Sequence, residues 1–119
     1  MKKILITGCS TGFGFQAAKY LAEKGHLVVA TMRNTNGTNK DSAESLKKYA
    51  AEKNLKIDVV DLDVTSDESI KAAMIKIPTV DVLINNAGRG FGGAIETFTS
   101  KELAYVKSLS RNYISYFLV

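Results

Sequence analysis

Short apolar runs and helical stretches alternate along this chain, and that alternation constrains its fold more than any other feature. KILIT (3–7) is a β-branched run with the character of a buried strand, and HLVVAT (26–31) is a second. LKIDVVDLDV (55–64) contains a third, and VDVLINNAG (80–88) runs from a fourth strand into a turn. Between them, FQAAKYLAEKG (15–25) places Ala17, Ala18, Leu21 and Ala22 on one helical face, with Gly25 where a helix ends. MRNTNGTNK (32–40) is a polar, turn-rich loop, and DSAESLKKYAAEKN (41–54) predicts a second helix capped by Asp41. Thr65 and Glu68 match a T-x-x-E capping box for a helix over 66–76. After the glycine-rich loop RGFGGAIETFT (89–99), Thr99 and Glu102 repeat the box. Leu103, Val106, Leu109, Tyr113 and Phe117 then recur at helical spacing, which predicts a helix running to the end.

Strands alternating with helices imply a parallel sheet covered on both faces. Right-handed crossovers make this the first half of a doubly wound α/β fold with strand order 3-2-1-4. The length of 119 residues suits one domain spanning 1–119, and 45% hydrophobic with 24% charged residues is ordinary for a globular chain.

The net charge is +4, but the basic residues are scattered, with Lys2-Lys3 and Lys47-Lys48 among the densest groups. That spread is expected of solvated helix faces and argues against a nucleic-acid partner. A mild positive balance also suits a ligand bearing phosphate. Cys9 is the single cysteine, so no internal disulfide forms, which fits a reducing, cytoplasmic setting. Two lysines before Ile4–Ile6 resemble the start of a secretory signal, but the apolar run ends at Thr7, far short of the roughly 7–15 residues such a segment needs. No apolar run approaches the ~20 residues of a membrane span.

The loop TGCSTGFG (Thr7 to Gly14) carries the chemistry. Gly8 suits a tight turn off the first strand, Gly12 a close approach of backbone to a ligand, and Gly14 close packing of the helix on the strands. Unpaired amides where that helix starts, with the helix dipole behind them, suit a pyrophosphate. A purely structural turn would use glycine too. At the end of the second strand, an acid would take the ribose hydroxyls of NAD, yet 31–36 read TMRNTN. Arg33 stands there instead, and a guanidinium fits a 2′-phosphate, which favours NADP over NAD. The alternative is a solvated loop arginine.

These residues together resemble the short-chain dehydrogenases/reductases of classical type, whose Rossmann-type domain binds a nicotinamide dinucleotide. The glycine loop (7–14) matches that family's cofactor signature, DLDVT (61–65) its acidic turn after the third strand, and NNAG (85–88) its motif after the fourth. The resemblance implies that backbone of Ser10, Thr11, Gly12 and Phe13 meets the ribose and pyrophosphate. It implies that Asp63 accepts from the adenine amino group and Val64 gives a backbone contact. Asn85, Ala87 and Gly88 would line the ribose region. Asp63 could equally cap the helix after it, and Asn85 and Asn86 could satisfy turn backbone.

Members of that family move a hydride between nicotinamide and an alcohol or carbonyl carbon. They use an asparagine, a serine and a Y-x-x-x-K pair, in which the lysine lowers the pKa of the tyrosine. Asn112 matches the asparagine or is a plain helix-surface residue. Tyr20-Lys24 and Tyr49-Lys53 spell Y-x-x-x-K but precede NNAG, and Ser108, Ser110 and Ser115 fall in the last expected helix. The expectation is therefore a truncated, cofactor-binding half of an NADP-dependent oxidoreductase, incomplete at its C-terminus. The alternatives are a non-catalytic NADP-binding or interaction module and a non-functional remnant. With no fifth strand, the fourth would expose an unpaired edge open to self-association.

Overall fold

The described part of the structure, a computed structural model, comprises residues 1–86 and the backbone of 114–117. In chain order its elements are β1 (Lys3–Ile6), α1 (Gly12–Glu23), β2 (Leu27–Met32), α2 (Lys40–Lys53), β3 (Ile57–Asp61), α3 (Asp67–Lys76), β4 (Val82–Asn85) and β5 (Ile114–Phe117). All strand pairs are parallel, in the order β3-β2-β1-β4-β5. The first four strands thus take the expected order 3-2-1-4.

Alternation along the strands divides the core into two layers. Ile4, Ile6, Val28, Ala30 and Met32 point to one face, where Ala18 and Ala22 of α1 and Ala43, Leu46 and Ala50 of α2 cover them. Leu5, Val29 and Leu83 point to the other, against Ile70 and Ala73 of α3 and Ile77 just after it. The small residues on the helices let the backbones approach the sheet closely. Each fully buried aliphatic side chain, such as Leu5, Val28, Leu46 or Leu83, contributes roughly 1.5–3 kcal/mol.

The helix ends follow local chemistry, with two shifts from expectation. α2 starts after Asn39, and Asp41 lies in its first turn, where its charge complements the helix dipole. At α3 the Asp63 carboxylate takes both the Thr65 amide (2.9 Å) and hydroxyl (2.6 Å). Thr65 is therefore occupied, and Ser66 caps the helix by accepting from the Ser69 amide at 3.2 Å. α1 closes on Gly25, whose φ of +92° is easy only for glycine, and α2 closes on left-handed Asn54.

The expected terminal helix is corrected at its end. Ile114–Phe117, Ser115 included, form β5, which pairs with β4 from Val82↔Ile114 to Asn85↔Phe117. β5 supplies the ladder partner that the sequence left missing, so the edge of β4 is covered and β5 is the outer strand on that side of the described sheet. Residues 87–113 and 118–119 lie outside the described part, and with them Ala87, Gly88 and Asn112.

Candidate dinucleotide-binding site

The chain runs outward through β1, β2 and β3, then returns to place β4 on the other side of β1. Ligands of such sheets sit beyond the C-terminal strand ends at this reversal. The chain leaves β1, β2, β3 and β4 at that edge, where the turns after the first three strands, with Asn85 and Asn86 at the end of β4, carry residues singled out in the sequence.

The turn after β1 is bound to the end of β4. The Thr7 amide donates to the Ile84 carbonyl at 3.0 Å, and the Asn86 amide donates to the Thr7 hydroxyl at 2.9 Å. The Asn86 side chain donates to the Gly8 carbonyl at 3.0 Å. Asn86 thus satisfies turn backbone, as the sequence allowed, and does so for a turn 78 residues away. The neighbouring Asn85, at the end of β4, is buried at 8% exposure.

On its other side the turn rests on β2. The Cys9 amide donates to the Thr31 carbonyl at 2.9 Å, while the Thr31 hydroxyl (2.9 Å) and the Cys9 thiol (3.3 Å) both donate to the Ile6 carbonyl. Burial pushes the Cys9 thiol up to about 12, so it serves as an uncharged donor. Neither Thr31 nor Cys9 stood out in the sequence as part of the turn's support.

The three loop glycines do three different things. Gly8 (φ +70°) and Gly12 (φ +62°) occupy the left-handed region. A side chain on Gly14 would run into the Gly8 carbonyl and stand 2.6 Å from the Asn86 side-chain nitrogen, so only glycine lets α1 begin this close to the turn. Among the described residues nothing lies within 4 Å of where a Cβ on Gly12 would stand, which leaves its backbone approachable past them.

Thr11, the N-cap of α1, is extended and makes no side-chain capping bond, and the first turn holds no acid. α3, by contrast, has the Ser66 cap with Asp67 and Glu68 beside it. The first amides of α1 therefore retain capacity for an external anion. Ser10 is half-buried, whereas Thr11 and Gly12 are exposed and Phe13 is 72% exposed.

Arg33 follows β2, is exposed, and is absent from the ion pairs found among the described residues. Asp63 and Val64 follow β3 and are half-buried; besides holding Thr65 through its carboxylate, Asp63 donates its own amide to the Ser69 hydroxyl at 2.8 Å. Its role in ordering the start of α3 is thus visible in the bonds. The two Y-x-x-x-K pairs lie on the flank of the sheet. Lys24 stacks over Tyr20 at 5.3 Å, and Tyr49 is covered by Lys19 at 4.6 Å and Lys53 at 5.1 Å. These are packing contacts of α1 and α2. Among the described residues no helix is long and apolar enough to cross a membrane.

Comparison with known proteins agrees with this geometry. The sequence profile described as short chain dehydrogenase matches residues 2–119. A 3-ketodihydrosphingosine reductase of Bacteroides thetaiotaomicron is 38% identical over 105 residues, covering 85% of this chain and 34% of the reductase. A probable NADP-dependent dehydrogenase of Dichelobacter nodosus is 36% identical over 97 residues, covering 76% of this chain and 82% of that protein. An alcohol dehydrogenase from the archaeon Thermococcus sibiricus, solved in complex with 5-hydroxy-NADP, superposes with a TM-score of 0.62 at 28% identity, covering 87% of this chain and 44% of that one. The chain spans about a third of the length of the first curated relatives it matches. With the parallel sheet, its strand order and the glycine turn at the reversal, these matches make the chain a member of the short-chain dehydrogenase/reductase family of oxidoreductases.

Proposed function

We propose that this chain supplies the dinucleotide-binding half of an NADP-dependent oxidoreductase. The coenzyme would supply hydride exchange at its nicotinamide with an alcohol or carbonyl carbon. The chain's own residues bind and orient it. Amides of residues 10–13 receive the pyrophosphate, Arg33 pairs with the 2′-phosphate, Asp63 and Val64 meet the adenine, and Asn85, Ala87 and Gly88 line the ribose nearer the nicotinamide.

The observation that carries this reading is Gly12: left-handed, open above, and at the start of a helix whose cap makes no side-chain bond. A dinucleotide's charged oxygens need donors that come close without side chains in the way, and this corner offers them. The choice of NADP rests on Arg33 and on the absence of an acid from 31–36. The NADP-linked names among the relatives favour the same choice.

Titration calorimetry with NADPH and NADH tests it. NADPH should bind more tightly, and Arg33→Ala should weaken NADPH about tenfold, the effect of losing one charged hydrogen-bonding partner, with NADH unchanged. Equal or tighter binding of NADH would refute the choice of coenzyme. No binding of either would refute the site.

A further inference from the structure

The turn between β2 and α2 holds Arg33, and its wiring is explicit. Asn34 is left-handed (φ +50°), and its carbonyl accepts from the Gly37 amide (2.9 Å) and the Asn39 amide (3.0 Å). The Asn39 side chain donates to the Arg33 carbonyl at 2.6 Å. These bonds close the turn on itself between the end of β2 and the start of α2. One bond ties it to β3: the Thr35 amide donates to Oδ1 of Asp61 at 3.0 Å. Asp61 ends β3 directly beside Met32, the residue before Arg33, and the Leu62 amide continues the ladder to the Met32 carbonyl at 2.9 Å. The carboxylate is thus fixed to the sheet, and the turn is fixed to the carboxylate.

We propose that Asp61 is a positioning residue for Arg33, its carboxylate holding the β2–α2 turn in the shape that presents the guanidinium to the 2′-phosphate of the coenzyme. This rests on the reading of Arg33 given above. An arginine on a turn that is already held loses less freedom on pairing, so the bond to Thr35 is expressed as affinity for the one coenzyme that carries the extra phosphate. The carboxylate does not touch the phosphate; its own charge opposes it slightly. Hence the neutral Asp61→Asn, which keeps a carbonyl oxygen as acceptor, retains the effect, and Asp61→Ala loses it.

The test titrates NADPH and NADH into the unmodified protein, Asp61→Ala, Asp61→Asn, Arg33→Ala and the Asp61→Ala/Arg33→Ala double variant. Amide hydrogen exchange at Thr35 is followed in parallel. Asp61→Ala should weaken NADPH about three- to tenfold and leave NADH unchanged, Asp61→Asn should keep the preference, and Asp61→Ala should add nothing once Arg33 is gone. The Thr35 amide should exchange faster in Asp61→Ala while the amides of β2 stay protected. The proposal is overturned if Asp61→Ala weakens both coenzymes alike, if it leaves NADPH binding unchanged, or if its effect adds to that of Arg33→Ala. An unmodified protein without NADPH preference, or an Arg33→Ala variant that keeps it, overturns the reading of Arg33 as well.

Discussion

Asn86 gives its side-chain amide to the carbonyl of Gly8 at 3.0 Å, and that bond stands directly above the point where Gly14 brings α1 against the same turn. A residue at the end of β4 therefore fixes the shape of a loop that follows β1. Asn86→Ala removes the donor from a half-buried carbonyl. We expect a loss of about 1 kcal/mol, seen as a fall of roughly 4–8 °C in the thermal midpoint, with weakened binding of NADPH. An unchanged midpoint would show that the bond does not hold the turn.

Gly14 and Gly12 should respond differently to the same methyl group. In Gly14→Ala the new Cβ meets a backbone carbonyl that cannot move alone, and overpacking of this kind costs about 1–3 kcal/mol. Gly12→Ala meets no atom of the described residues, and its left-handed backbone costs about 1–2 kcal/mol. Its Cβ, however, stands where a bound dinucleotide would approach. Denaturant titration should rank Gly14→Ala as at least as destabilised, while a folded Gly12→Ala should lose NADPH binding.

Cys9 sets a pH dependence with a definite sign. Its thiol ionises near 9.0 when exposed and is pushed up to about 12 by burial in the fold. Below pH 9 both states are protonated and the group makes no difference to stability. Between 9 and 12 the unfolded chain releases the proton and the folded one keeps it. This thiol's contribution therefore falls by about 1.4 kcal/mol per pH unit. Urea unfolding of the protein and of Cys9→Ala at pH 8 and pH 10 measures the difference. The same burial predicts that thiol reagents label Cys9 only after unfolding.

Thr31→Val keeps the shape of the side chain and removes the hydroxyl that donates to the Ile6 carbonyl. The Cys9 thiol still donates to that carbonyl, so the cost should stay near 1 kcal/mol. Chemical denaturation of Thr31→Val, Cys9→Ala and the double variant should show more than additive loss, since the carbonyl then has neither side-chain donor.

Much of the architecture was readable from local patterns. The first four strands and three helices, and the order 3-2-1-4, follow from apolar periodicity and the handedness of crossovers. The glycine turn was readable because Gly8, Gly12 and Gly14 crowd between an apolar strand and a helix face. β5 was not, because ISYF has no strict alternation and Phe117 also continues a helical spacing from Leu103; pairing with β4 decides in favour of a strand. The cap of α3 was misread by one residue because Thr65 and Ser66 are both good caps, and only the Asp63 carboxylate separates them. The bonds from Asn86 and Thr7, and from Asp61 to Thr35, join residues remote in sequence. No window of neighbouring residues contains them.

Placing the earliest strand between β2 and β4 has a consequence for synthesis. Thr7 and Asn86 are 79 residues apart, so at about 5–20 residues per second the ribosome needs roughly four to sixteen seconds to make the second after the first. Once β2 is made, the nascent glycine turn has that strand on one flank and waits for β4 on the other. The two flanks of this corner are thus made at well separated times, the second 79 residues after the first.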